Sequence, residues 1–157
     1  MPTNSASELA EAFLAFANEH GDLISNMKLQ KLLYYAQGWY LALFDEPLFA
    51  DRIEAWIHGP VVPAVWRHYQ SFGFKPIESN ATREDLPELP ESVWDHIEEI
   101  WKGYGRYSGY DLVAMTQAET PWLVARRGLN PTEVGSNEVT VEYLTSFFKR
   151  ERQLIAA

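Results

Sequence analysis

Apolar residues recur at helical spacing along most of this chain. Leu9, Phe13 and Phe16 follow the segment Ser5-Ala6-Ser7-Glu8, which fits a capping box. This pattern predicts a helix from about Ala6 to Glu19, stopped at His20-Gly21. A longer pattern begins after Asn26 and runs to about Phe44. Leu29, Leu32, Leu33, Ala36, Tyr40 and Leu43 form its stripe, and Tyr34, Tyr35 and Trp39 make the flanks apolar as well. Lys28 and Lys31 are its only charges. A helix apolar on most sides belongs in the middle of a domain.

Asp45-Glu46-Pro47 ends that helix, and the pattern then changes. Leu48-Phe49 and Ile53 to Ile57 read as extended, which predicts a small hairpin or paired edge. Gly59-Pro60 reads as a turn, and Pro63 suits the first turn of the next helix. Val62, Val65, Trp66 and Tyr69 are that helix's apolar face, and Phe72-Gly73 is its end. From Lys75 to Pro90 the chain is acidic and carries Pro76, Pro87 and Pro90, as an exposed connection does. Glu91 to Tyr104 reads as a helix with Val93, Ile97, Ile100 and Tyr104 inward. Ser108 to Asp111 resembles a second capping box and opens a helix to about Ala118. Thr120-Pro121 predicts a Thr-capped helix start that carries Trp122 and Val124 and stops at Gly128. After a polar loop, Thr140 caps a last helix with Val141, Leu144, Phe147, Phe148 and Ile155 as its apolar positions. The expected fold is mainly α: a compact bundle of about six or seven helices, with a small β-hairpin near residues 48–57. The 157 residues are expected to form a single domain, 1–157.

Composition narrows the range of functions. A net charge of −9 disfavours a phosphate-binding surface, so no nucleic-acid partner is expected. No stretch approaches the roughly 18 apolar residues of a membrane span, and residues 1–7 lack the pattern of a signal peptide. The chain has no cysteine, which excludes disulfides and thiolate metal sites and suits the cytoplasm. Six Trp, eight Tyr and eight Phe need a large core or a partner surface to cover them. The last residues, Leu154 to Ala157, read as a frayed helix end or as a small-apolar tail open to proteases.

The search for chemistry gives little. His20, His58, His68 and His96 form no metal-spaced pair, and Asp95-His96 with Glu98 and Glu99 reads as a solvated acidic face. There is no Gly-x-Ser-x-Gly elbow, and Gly103-Tyr104-Gly105 is a helix end rather than a phosphate cradle. Arg126-Arg127 and Lys149-Arg150-Arg152 read as helix-end cations that complement the dipole. A hydrolase would have to set His58 against a carboxylate such as Glu54 or Glu119, without a visible nucleophile. The expectation is a non-enzyme with no catalytic, cofactor-binding or metal residues.

Three blocks of sequence carry a family resemblance. Leu29-Gln30-Lys31-Leu32-Leu33-Tyr34-Tyr35-Ala36-Gln37-Gly38-Trp39-Tyr40-Leu41, then Pro47-Leu48-Phe49, then Ile53 to Pro63, resemble the Panacea domain. That family includes SocA-like antitoxins and phage-associated GepA-like proteins. Thr116-Gln117-Ala118-Glu119-Thr120-Pro121-Trp122 is similar to the family's second motif, and the likeness runs from about Leu9 to Phe148. Gln117 stands where that motif usually has a histidine, and His58 where an aromatic usually precedes Gly-Pro. A glutamine cannot ionise, which weakens any enzymatic reading further. The resemblance implies the antitoxin of a type II toxin–antitoxin pair, which neutralises a cognate protein toxin by direct binding. It also implies two alternatives: a proteolytic adaptor that delivers the toxin to ClpXP, and a phage-associated accessory protein without a toxin. The residues it singles out for partner binding or motif structure are Trp56, His58, Gly59, Pro60, Trp66, Gln117, Glu119 and Trp122.

Overall fold

The computed structural model describes residues 4–156, so expectations for residues 1–3 and for Ala157 lie outside it. Among the described residues the chain forms seven α-helices and one small sheet. The helices are α1 (Ala6–Glu19), α2 (Asn26–Phe44), α3 (Pro63–Tyr69), α4 (Glu91–Tyr104), α5 (Gly109–Gln117), α6 (Thr120–Ala125) and α7 (Val141–Ala156). The strands are β1 (Ile53–Trp56), β2 (Gly59–Val61) and β3 (Glu138–Val139). Both capping boxes form: Ser5 with Glu8 opens α1, and Ser108 with Asp111 opens α5.

Helix α2 is the centre of the molecule. It packs against α1, α3, α4, α5, α7 and β2, and its residues from Leu29 to Gly38 are all buried. Ser25 caps its start, and Asp45 ends it in the left-handed region at φ 56°. Two positions of the expected stripe are not in the core: Tyr40 is half-buried and Leu43 is exposed. The last turn of α2 runs out past the layer that covers its middle, so its apolar side chains meet solvent. Gly38 explains how closely α7 approaches. A Cβ there would overlap the ring of Phe148, which lies across α2 and touches Tyr34, Tyr35 and Trp39 edge-on.

Three amide side chains of α2 are buried, and each one bonds backbone of the segments packed beside the helix. Gln37 accepts from Leu48 N at 2.8 Å and Phe49 N at 3.2 Å, and donates to Phe49 O at 2.8 Å. Gln30 accepts from Val62 N at 2.9 Å, and Asn26 donates to Trp66 O at 3.1 Å. A buried amide that makes these bonds stands in for a backbone partner.

The sheet corrects the expected hairpin. Its order is β2-β1-β3, with both pairs antiparallel. Strand β1 pairs with β2, with Trp56 opposite Gly59, so the hairpin spans 53–61 instead of 48–57. Ile57-His58 is the turn, and Gly59-Pro60 lies within β2. Leu48-Phe49 is held by Gln37 and, through an isolated parallel bridge, Phe49 pairs with Asn4. Strand β3 falls where only a polar loop was expected: two residues are too short for an alternation signal, and their pairing comes from β1.

Other local expectations are adjusted by packing. Glu119, not Thr120, is the N-cap of α6, and Thr120 is its first helical residue. The glutamate makes no capping bond because its carboxylate is engaged elsewhere. In α7, Leu144 and Phe148 are buried while Val141 and Ile155 are exposed. His96 is buried and bonds Ala36 O at 2.9 Å, so the face expected to be solvated is broken by one inward imidazole. The acidic connection before α4 is pinned at Ile77 and Leu89, both buried. No helix among the described residues is long and apolar enough to cross a membrane.

Gly38→Ala should lower the melting temperature although alanine favours a helix by about 1 kcal/mol. In a Phe148→Ala background the same change should become neutral or stabilising. Thermal denaturation followed by circular dichroism in the four-member cycle reads this sign reversal.

Candidate functional site

The two sequence motifs meet at the hairpin. Side chains from α5 and α6 take three consecutive carbonyls of its tip. Arg126 Nη1 donates to Ala55 O at 3.0 Å, Trp122 Nε1 to Trp56 O at 2.8 Å, and Gln117 Nε2 to Ile57 O at 2.9 Å. Arg126 also donates to Asn130 O and Glu133 O, and it is buried. It stands at the C-terminal end of α6, as expected, but its guanidinium is spent on the hairpin and on the loop that follows. Trp122 and Arg126 are four residues apart at one helical face, which is the signal that could have paired them. The Arg126 guanidinium lies 5.3 Å from the Trp122 ring centre.

From the other side, α2 holds the second strand. Lys31 Nζ donates to Pro60 O at 3.2 Å. Pro60 has no N–H to offer, so the edge strand presents little for further pairing. Gly59 is needed twice. Its φ is +107°, and an added Cβ would stand 2.8 Å from Lys31 Cε and 2.9 Å from Thr116 Oγ1. Lys31 is 1% exposed, and burial without a carboxylate partner lowers its pKa to about 7. Sequence reading missed it, although a single lysine set among leucines and tyrosines in a buried helix was the available sign.

Glu119 joins the second motif to the central helix. Its two oxygens accept from Tyr34 Oη and Tyr35 Oη, each at 2.9 Å. Tyr35 stacks on Tyr104 at 3.8 Å, and Tyr104 Oη accepts from Trp39 Nε1 at 2.8 Å. Burial raises the Glu119 pKa to about 7 against the lowering effect of the two phenols, and Glu151 nearby raises it too. Burial and the Glu119 charge also push both tyrosines up. A carboxylate held by two phenols is a tie between elements, and it leaves Glu119 no free oxygen to serve His58.

In front of the hairpin lies a groove of about 510 Å³. Trp56, Ile57, Val61, Trp66 and Phe74 give it apolar walls, and Lys31, His58, Arg67 and Glu54 are its ionisable residues. Trp56 and Trp66 meet edge-on with centres 6.0 Å apart, and both are half-buried. His58 is exposed at the turn. Glu54 accepts from Trp56 Nε1 at 2.9 Å and pairs with Arg52 at 3.1 Å. Of the residues singled out in sequence, Trp56, His58 and Trp66 thus face the groove. Gln117 and Trp122 hold the hairpin from behind, Gly59 and Pro60 form β2, and Glu119 ties α6 to α2. Phe74, Arg67 and Lys31 are additions from the structure. A second groove of about 740 Å³ lies among α2, α4, α5 and the end of α7, with Asp95 and Glu99 among its lining residues.

Comparison with known proteins identifies the family. Residues 29–123 match the family described as Antitoxin SocA-like, Panacea domain. The chain is 36% identical over 115 residues to Antitoxin SocA of Caulobacter vibrioides (strain NA1000 / CB15N). That alignment covers 67% of this chain and 61% of the relative, so the chain spans about three fifths of the relative's length. No solved structure gives a significant match. The chain belongs to the SocA-like Panacea-domain family.

Two opposite pH dependences follow from the buried groups. Glu119 has its pKa raised from 4.5 to about 7, so the folded state holds a proton that the unfolded state has lost. That contribution is full below pH 4.5 and is lost as pH rises through about 7. The stability margin of the native chain over Glu119→Gln should therefore shrink across this window. Lys31 has its pKa lowered from 10.5 to about 7, so the native chain should gain on Lys31→Met as pH rises through that range. Urea unfolding at several pH values checks both signs. Separately, Gly59→Ala should lower stability by about 2 kcal/mol or more, through its positive φ and the approach of Lys31.

Proposed function

We propose that this protein is an antitoxin that neutralises a cognate protein toxin by direct binding, and that the hairpin groove is its contact face. The observation that carries the reading is the arrangement at the tip of the hairpin. Three side chains hold its carbonyls from behind, which fixes Trp56, while Asn26 bonds the Trp66 carbonyl on α3, so the two tryptophans meet in front, each half-buried. Half-buried tryptophans on a rigid support are what protein interfaces use as hot spots. The name of the Caulobacter relative and the family description support the antitoxin role. The pair is of type II on this reading, since a protein inhibitor acts by binding the toxin directly. The groove contains an imidazole but no nucleophile–base set, and the carboxylates proposed to assist it are both engaged, which favours binding over catalysis.

The test is co-expression with the neighbouring gene. The expected result is a complex that co-purifies and growth that is restored while the toxin stays abundant. Toxin that disappears in a ClpXP-dependent way would replace sequestration by the adaptor mechanism, and failure of both binding and rescue would remove the antitoxin reading. Trp56→Ala and Trp66→Ala should each weaken the complex by about 30-fold or more. Phe44→Ser, at the second groove, should leave its affinity unchanged. Isothermal titration calorimetry on the purified pair reads these differences.

A further inference from the structure

The charge of the hairpin groove runs against that of the molecule. The chain carries a net charge of −9 with its histidines neutral, yet the groove is lined by two basic side chains, Lys31 and Arg67, with Glu54 its one carboxylate. Glu54 is already occupied, by Arg52 at 3.1 Å and by Trp56 Nε1 at 2.9 Å. Among the described residues Lys31, Arg67 and His58 take part in no ion pair.

Lys31 is the most telling of these. An ammonium has three donors, and the described structure gives this one a single acceptor, Pro60 O at 3.2 Å. It is 1% exposed, so solvent does little to supply the rest. Buried charges are normally paired, because an unpaired one loses its hydration without recompense. Burial accordingly pushes the Lys31 amine towards its neutral form. A carboxylate arriving in the groove would restore the ammonium and meet the Arg67 guanidinium at the rim. The aromatic walls of Trp56, Trp66 and Phe74 demand apolar contact from the same ligand. The second groove has the opposite character, with Asp95 and Glu99 in its lining, so the two are not interchangeable.

We infer that the hairpin groove receives an apolar segment of the partner protein that carries a carboxylate, with the carboxylate directed to Lys31 and Arg67 and the apolar side chain set among Trp56, Trp66 and Phe74. This assignment rests on the antitoxin reading for the identity of the partner, but the chemistry of the groove can be tested without it. The probes are indole-3-acetate and its neutral isostere indole-3-acetamide, titrated into the full chain and followed by the indole N–H signals of Trp56 and Trp66. The acetate should bind about tenfold more tightly than the acetamide, as a charge-assisted hydrogen bond requires. Lys31→Met should abolish the preference while the apolar contacts remain. Arg67→Gln, which alters only an exposed side chain, should reduce it and keeps the test available if Lys31→Met does not fold. Equal binding of the two probes by the native chain, or no shift of either tryptophan signal, overturns the inference. Equal binding by a chain that still captures its toxin would overturn the groove's chemistry alone. A retained preference in a chain that captures no toxin would overturn the assignment to a toxin segment.

Discussion

Two adjacent phenols on the central helix share one carboxylate, and most of the molecule's arrangement follows from that bond. Tyr34 and Tyr35 lie about 100° apart around α2. Both nevertheless reach Glu119, one to each oxygen. Meeting both requirements fixes the junction between α5 and α6 against α2 in position and in rotation. Once that junction is set, α6 begins at a defined place, and Trp122 and Arg126 are aimed at the hairpin. The aromatic cluster of Tyr104, Trp39 and Phe148 closes around the same tyrosines, with Glu119 half-buried beside them. Glu119 gives up its capping role in α6 for this bond, a trade that makes sense only if the junction matters more than the end of a short helix.

A second regularity is how the non-helical chain is held. Most backbone polar groups in a fold find ladder or helix partners, but the N–H groups of Leu48, Phe49 and Val62 and the carbonyl of Trp66 near the end of the short α3 turn to side chains. Asn26, Gln30 and Gln37 supply what is missing, all from one helix. Helix α2 therefore works as a core element on its apolar positions and as a template for irregular backbone on its polar ones. This double use explains why its amphipathic character is weak. The buried glutamines are satisfied on both amide atoms, so their burial carries little penalty.

Most helices were legible because each has a local signature. Ser5–Glu8 and Ser108–Asp111 are reciprocal boxes, and the periodic runs that follow them are long enough to be unambiguous. The family itself was legible in the blocks around Leu29 to Leu41 and Ile53 to Pro63. What could not be read was the set of long-range partnerships. Strand β3 exists because β1 offers it an edge, and Gly59-Pro60 looks like a turn until its pairing with Ala55 and Trp56 is known. Arg126 resembled a helix-end cation because carbonyls 71 residues away do not appear in a local window. Lys31 was noted only as one of the two charges of α2 for the same reason. Trp56 and His58 were singled out because their motif was distinctive, and Trp66 as an aromatic anchor, while Phe74 and Arg67 carry no local mark of lining the same groove.

The grip on the hairpin has one more consequence. Gln117, Trp122 and Arg126 bind carbonyl oxygens, and every amino acid possesses that atom. The support is therefore indifferent to which side chains occupy positions 56 and 57 at the tip. Those residues can be exchanged without loosening the frame that carries them. Such a frame separates the inheritance of the fold from the surface it displays: the letters at the tip can be rewritten while the helices beneath go on reading the same main chain.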